Sequence, residues 1–133
     1  MSKYSHLIGI PYKDNGRDEK GVDCYGLVMQ AYKILGIELP DYNSIPEPEP
    51  WLINEIIKNN KYDWIKLEKY EIPCVVTFWM TNPDFTSHIG VVIEEDRFIH
   101  ARGGTSVCVE RLSSPVWSKR IKGFYRWKNQ KQN

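Results

Sequence analysis

The residues with nucleophilic and acid–base chemistry are few and widely spaced: Cys24, His88 and His100. Cys24 directly follows Asp23, at the head of a stretch with helical periodicity. At such a position the helix dipole and the first-turn N–H groups favour a thiolate, the attacking species in cysteine catalysis. The same N–H groups can stabilise an oxyanion. Position alone also fits a small buried residue in the first turn, because free cysteine is among the most buried residue types. His88 and His100 fall in a predicted hairpin, and the one other histidine is His6. For the two to share a face, the hairpin needs an odd loop, such as Glu94-Glu95-Asp96, or a bulge. A plain two-residue turn would separate them. Each histidine taken singly also fits an ordinary half-buried residue making structural hydrogen bonds. Tyr12 and Asp23 flank the nucleophile in sequence and can bind a substrate amine or hydroxyl; equally, Asp23 can cap a helix and Tyr12 can pack a loop. A metal site built from Cys24, His88 and His100 is chemically possible. The thiolate position explains Cys24 better.

These side chains need elements to hold them. Leu27, Val28, Ala31, Tyr32 and Leu35 recur at helical spacing, with Asp23 as N-cap and Gly36 as the stop. Pro11 to Gly21 reads as a long loop. Pro46, Pro48 and Pro50 alternate with glutamates in an extended surface run, and Trp51 to Lys58 reads as a short second helix. The second half changes period. Val75–Met80, His88–Glu94, Arg97–Ala101, Ser106–Arg111 and Gly123–Trp127 read as about five antiparallel strands. Helices first and strands after is an α+β pattern. The five tryptophans read as core and rim packing.

Composition narrows the function classes. The 133 residues suit one domain, taken as residues 1–133, and 41% are hydrophobic. A net charge of +1 argues against nucleic acid as a partner. No apolar run is long enough for a membrane span. The segment Met1–Leu7 is polar and lacks an apolar signal core, so the expectation is cytoplasmic synthesis without a signal peptide. Three cysteines without a CxxC pair disfavour a structural zinc site and fit a reducing compartment.

The run Gly21-Val22-Asp23-Cys24-Tyr25-Gly26-Leu27-Val28 resembles the nucleophile motif of the NlpC-type cell-wall peptidases. Ser87-His88-Ile89-Gly90-Val91-Val92 and Phe98-Ile99-His100-Ala101 resemble that family's histidine strand and its third polar residue. Leu39-Pro40 and Ile10-Pro11-Tyr12 also match family features, the latter the segment with a substrate-binding tyrosine. The resemblance runs from about Leu7 to Trp127. It implies a reduced papain-like fold and hydrolysis of amide bonds in bacterial cell-wall peptides, without a metal or organic cofactor. It further implies Cys24 as nucleophile, His88 as base and His100 as the residue orienting His88, with the attack made from a thiolate–imidazolium pair.

Two positions depart from the family pattern. Tyr25 replaces a small serine, and Ile72-Pro73-Cys74 stands where relatives carry Gly-Asp. The aromatic Tyr25, and the stretch from Glu110-Arg111-Leu112 through Trp117 to Arg126, resemble versions from the tail tips of long-tailed bacteriophages. That resemblance makes other phage tail proteins candidate partners beside the peptidoglycan stem peptide, and a virion tail a candidate location. The alternative is a non-catalytic tail domain that keeps the peptidase fold. Tyr12, Asp23 and Tyr25 are expected at the substrate pocket, Asp23→Asn is expected to spare stability but reduce turnover, and Cys24 is expected to react with iodoacetamide before Cys74 and Cys108.

Overall fold

The computed structural model describes residues 2–42, 53 and 63–130. The helix predicted after Asp23 forms as α1, Cys24–Ile34. The Asp23 carboxylate accepts from the Gly26 N–H at 2.7 Å and closes the first turn. At the other end Gly36 takes a φ of +80°, where a side chain would be strained. Its N–H bonds to the Lys33 carbonyl, and that of Ile37 bonds to Tyr32, a Schellman ending. Leu27, Val28, Ala31 and Tyr32 form the buried stripe of α1. They pack against Val75, Ile89, Val91 and Ile99 from one face of the main sheet. Truncating one such residue, Leu27→Ala for example, costs about 2–5 kcal/mol.

Two short strands precede the helix. β1 (Arg17–Asp18) and β2 (Gly21–Val22) pair as a ribbon inside the stretch read as a loop. The main sheet holds β3 (Trp64–Leu67), β4 (Cys74–Phe78), β5 (His88–Glu94), β6 (Arg97–His100), β7 (Cys108–Arg111) and β8 (Ile121–Trp127). Their order is β3-β8-β4-β5-β6-β7, and every adjacent pair is antiparallel. The sheet thus has six strands against the five or so expected. The additional one, β3, is an edge strand with Ile65 and Lys66 exposed, so it lacks the alternation of a half-buried strand. The Trp51–Lys58 helix and the Pro46–Pro50 run lie outside the described residues, apart from Ile53, which is buried.

A second apolar cluster occupies the sheet face away from α1: Cys74, Val76, Phe78, Val92, Phe98, Leu112 and Trp117. Trp117 comes from α2 (Pro115–Ser118), a single turn whose start is capped by the Ser114 hydroxyl. This cluster surrounds both strand histidines.

Candidate active site

Cys24 opens α1 and is fully buried. The backbone N–H groups of Tyr25 and Ile89 lie within hydrogen-bonding reach of its sulfur, so the head of α1 sits over the start of β5. His88 is the residue before Ile89. Close packing of the preceding ribbon fixes the first turn. A Cβ on Gly26 would lie 2.1 Å from the Gly16 carbonyl oxygen, so only glycine fits there.

The two histidines meet. His88 Nε2 lies 2.7 Å from His100 Nδ1. The hairpin between them is a two-residue turn, Glu95-Asp96, which by itself would put them on opposite faces. A bulge corrects the parity: the pairs Val91↔Ile99 and Val92↔Phe98 give way to Glu94↔Arg97. Both imidazoles therefore project with Val92 and Phe98 into the second cluster. Continuing that register puts Gly90 opposite His100, and a Cβ on Gly90 would approach the His100 Cβ to 3.1 Å. Phe78, Phe98 and Trp117 enclose the pair. Trp117 stacks on His88 at 5.8 Å and meets His100 edge-on at 4.9 Å.

A fourth residue, missed from sequence, completes the row. Glu110 on β7 places Oε2 2.5 Å from His100 Nε2. An ionised carboxylate can only accept, so His100 Nε2 must carry a proton. His100 Nδ1 then accepts from His88 Nε2–H, and the lone pair of His88 is left on Nδ1. Glu110 thereby sets the tautomer of both rings. One sequence signal was available: Cys108 and Glu110 alternate onto one face of β7, and register pairs Cys108 with His100.

Burial makes the resting site neutral. It pushes the Cys24 thiol far above the ordinary thiol range; Asp23 adds to this, while the two N–H groups and Arg17 oppose it. Burial likewise holds His88 well below the imidazole range, helped by His100 and Arg102. His100 is also lowered by burial, even though Glu110 pulls the other way. The His100–Glu110 contact is therefore a hydrogen bond to a neutral ring, not an ion pair. Against the expected thiolate–imidazolium pair, burial favours a thiol and a neutral imidazole, outweighing the N–H groups around the sulfur.

The three residues expected at a substrate pocket stand differently. Asp23 is buried, and its carboxylate, besides capping α1, pairs with Arg17 Nη1 at 2.7 Å. In this structure the cap and Arg17 are its two internal partners. Tyr25 is fully buried and donates its hydroxyl to the Pro40 carbonyl at 2.8 Å. In this structure its ring is packed internally, as Cys24 beside it is. Tyr12 is half-buried and packs on the main core; its N–H donates to Thr105 and it bridges to Val22, next to Asp23. A surface cavity of about 450 Å³ lies along the outer side of α1, with Arg17, Met29, Gln30, Lys33 and Leu39 in its wall. It shares Arg17 with the Asp23 network, and Cys24 and the histidines are not among its lining residues.

Among the described residues, the metal-type ligands that converge are His100, Cys108 and Glu110, with their donor atoms within 4.8 Å of one another. The set Cys24, His88 and His100 considered from sequence does not form such a group.

Known proteins resemble this chain in sequence and in fold. A family model described as NlpC/P60 family matches residues 9–126. The chain is 31% identical over 129 residues to probable endopeptidase YafL of Escherichia coli, covering 95% of this chain and 48% of that protein. It is 26% identical over 121 residues to murein DD-endopeptidase MepS/murein LD-carboxypeptidase of Escherichia coli, covering 90% of this chain and 57% of that protein. The chain thus spans about half the length of these relatives. In fold it is similar to a lipoprotein-like NLP/P60 family protein from Staphylococcus aureus, with a TM-score of 0.67 and 22% identity over 98% of this chain and 40% of that one.

Proposed function

As the chain belongs to the NlpC/P60 family, we propose that it is a cysteine peptidase hydrolysing amide bonds in the peptides of bacterial cell-wall peptidoglycan. The observation that carries this reading is the row His88–His100–Glu110, held in an aromatic enclosure on a strand whose N–H reaches the Cys24 sulfur. The murein endopeptidase names of the relatives support the substrate class.

In the proposed cycle the Cys24 proton moves to His88 Nδ1 as the sulfur attacks a peptide carbonyl. Neutral partners at rest make this transfer part of the attack rather than a step before it. His100, held by Glu110, keeps the Nδ1 lone pair of His88 available and accepts from the imidazolium that forms. First-turn N–H groups near Cys24 stabilise the oxyanion; the Gly26 N–H is already taken by Asp23. His88 then protonates the leaving amine, and water clears the thioester. Because Cys24 is fully buried, substrate entry must open the residues over it.

Within this proposal the chain acts at the cell wall, carried there on a phage tail or by another delivery route. The tail setting is supported by the sequence pattern at Tyr25 and Glu110–Arg126. Incubation with purified peptidoglycan and with defined stem peptides, with products read by mass spectrometry, tests the proposal. New amine termini from the native chain, lost in Cys24→Ala and His88→Ala, are expected. No product from the native chain on any wall peptide would instead favour the non-catalytic tail domain.

A further inference from the structure

Cys108 has no part in the proposed reaction, yet it stands beside the residue that orients the base. It lies across from His100 in the β6–β7 register, and Glu110 is the next residue on the same face of β7. Its sulfur is 3.7 Å from His100 Nε2 and 3.9 Å from Glu110 Oε2. Cys108 and Glu110 are both partly exposed, so this side of the row is open to solvent, while the His100 ring packs against Phe98 and Trp117.

We propose that His100, Cys108 and Glu110 form a zinc site that switches off the Cys24–His88 pair. The chemistry of the three donors suits Zn²⁺: one thiolate, one imidazole and one carboxylate, leaving a fourth position for water. The spacing suits it as well. Tetrahedral zinc with bonds of about 2.0–2.3 Å sets its ligand atoms about 3.3–3.6 Å apart. The sulfur already lies near that distance from both partners. The change required is to open the His100–Glu110 contact from 2.5 Å, which needs a shift of less than about 1 Å in a partly exposed glutamate.

The inhibitory effect follows from proton positions and rests on the peptidase reading above. Zinc takes the lone pair at His100 Nε2, so the proton there must leave. His100 then carries its proton on Nδ1 and donates to His88 Nε2. His88 carries its proton on Nδ1 and has no lone pair left for the Cys24 thiol. The two rings hold two protons between them before and after, so the net release is one proton per zinc, from the Cys108 thiol. Metal bound at the far end of the row thus reverses the tautomer that Glu110 sets.

The test uses the full chain and two readouts. Co²⁺ serves as a spectroscopic probe in place of Zn²⁺. One equivalent should give a sulfur-to-cobalt charge-transfer band with four-coordinate visible bands, and Zn²⁺ should displace them. Cys24→Ser should keep the band and Cys108→Ser should lose it. In the peptide assay, Zn²⁺ should inhibit the native chain, while Cys108→Ser should turn over normally without zinc and need at least about tenfold more for inhibition. Absence of a thiolate band, or a band lost in Cys24→Ser, overturns the site. Zinc bound through Cys108 with turnover unaffected overturns the switch. If the native chain cleaves no wall peptide at all, the peptidase reading fails, but the cobalt spectra still decide the site; should Cys108→Ser not fold, the Cys24→Ser spectrum decides it.

Discussion

Replacing Glu110 separates a tautomer-setting role from mere packing. Its Oε2 makes a 2.5 Å contact with a ring that is 1% exposed, while its own side chain is 38% exposed. A charge-assisted hydrogen bond is worth about 1.5–3 kcal/mol and a neutral one about 1 kcal/mol. Solvent screening of a partly exposed carboxylate selects the lower part of that range. Glu110→Gln should therefore remove about 1 kcal/mol of bias toward the productive tautomer, roughly fivefold in turnover. It stays partly active because the amide oxygen can still accept from His100. Glu110→Lys is the sharper variant. An ammonium only donates, so it favours a lone pair on His100 Nε2 and a proton on His88 Nδ1. Its turnover should fall at least about a hundredfold, about 2.7 kcal/mol. The assay is steady-state cleavage of a stem peptide, with thermal unfolding as the folding control. Nitrogen-15 shifts of the His88 ring report the tautomer directly, a readout that packing alone would not move. A folded Glu110→Lys as active as Glu110→Gln would refute the relay.

Alkylation should follow exposure: iodoacetamide should label half-exposed Cys108 first, with buried Cys24 and Cys74 slower, and peptide mapping that found Cys24 first would show an open thiolate instead. Asp23→Asn should keep the cap but lose the 2.7 Å ion pair with Arg17, lowering stability by about 1–3 kcal/mol in urea unfolding. That reverses the expectation of near-normal stability, and an unchanged midpoint would return Asp23 to a capping role alone. Stability should also depend on the histidines. The folded pKa of His88 is depressed by burial, so the unfolded chain binds more protons as pH falls below the ordinary value of 6.5. The stability present above pH 6.5 should be lost on acidification, by up to about 1.4 kcal/mol per pH unit for this group. His88→Gln should flatten that slope between pH 6.5 and 5.5; an unaltered slope would mean that His88 is charged in the folded chain.

The helix and the hairpin were readable because their signals are local. Asp23, the stripe from Leu27 to Leu35 and Gly36 specify α1 without help from the rest of the chain. The β5–β6 hairpin announces itself through β-branched residues on either side of Glu94–Asp96. What stayed hidden depends on pairing between strands. Nothing in Ile93-Glu94 announces a bulge, and only the β6–β7 register brings Glu110, rather than another acid, to His100. Gly90 was a readable clue, since a glycine inside a strand often marks a close backbone or side-chain approach. The burial of Cys24 is hidden for a related reason. A helix N-terminus favours a thiolate, but sequence position says little about how much solvent the fold removes.

The bulge in the β5–β6 hairpin makes the chemistry depend on an integer. Between Val92 and Arg97, Ile93 is buried in the main core and Asp96 is tied to Ser113 and Arg111, so the exposed Glu95 at the tip is the side chain that can vary most in kind while the two imidazoles still meet. With the two-residue turn and the bulge both kept, changing the segment's length by one would turn His100 toward α1, into the core that holds Ile99 and Ala101. Removing the bulged residue Ile93 itself would instead regularise the ladder, leaving Val92 opposite Phe98 and the two imidazoles on one face. With turn and bulge kept, a change of two would also leave the rings on one face. The hairpin is thus tolerant in composition at Glu95 and strict in arithmetic, and loop grafts at this edge should be chosen by residue count before residue type.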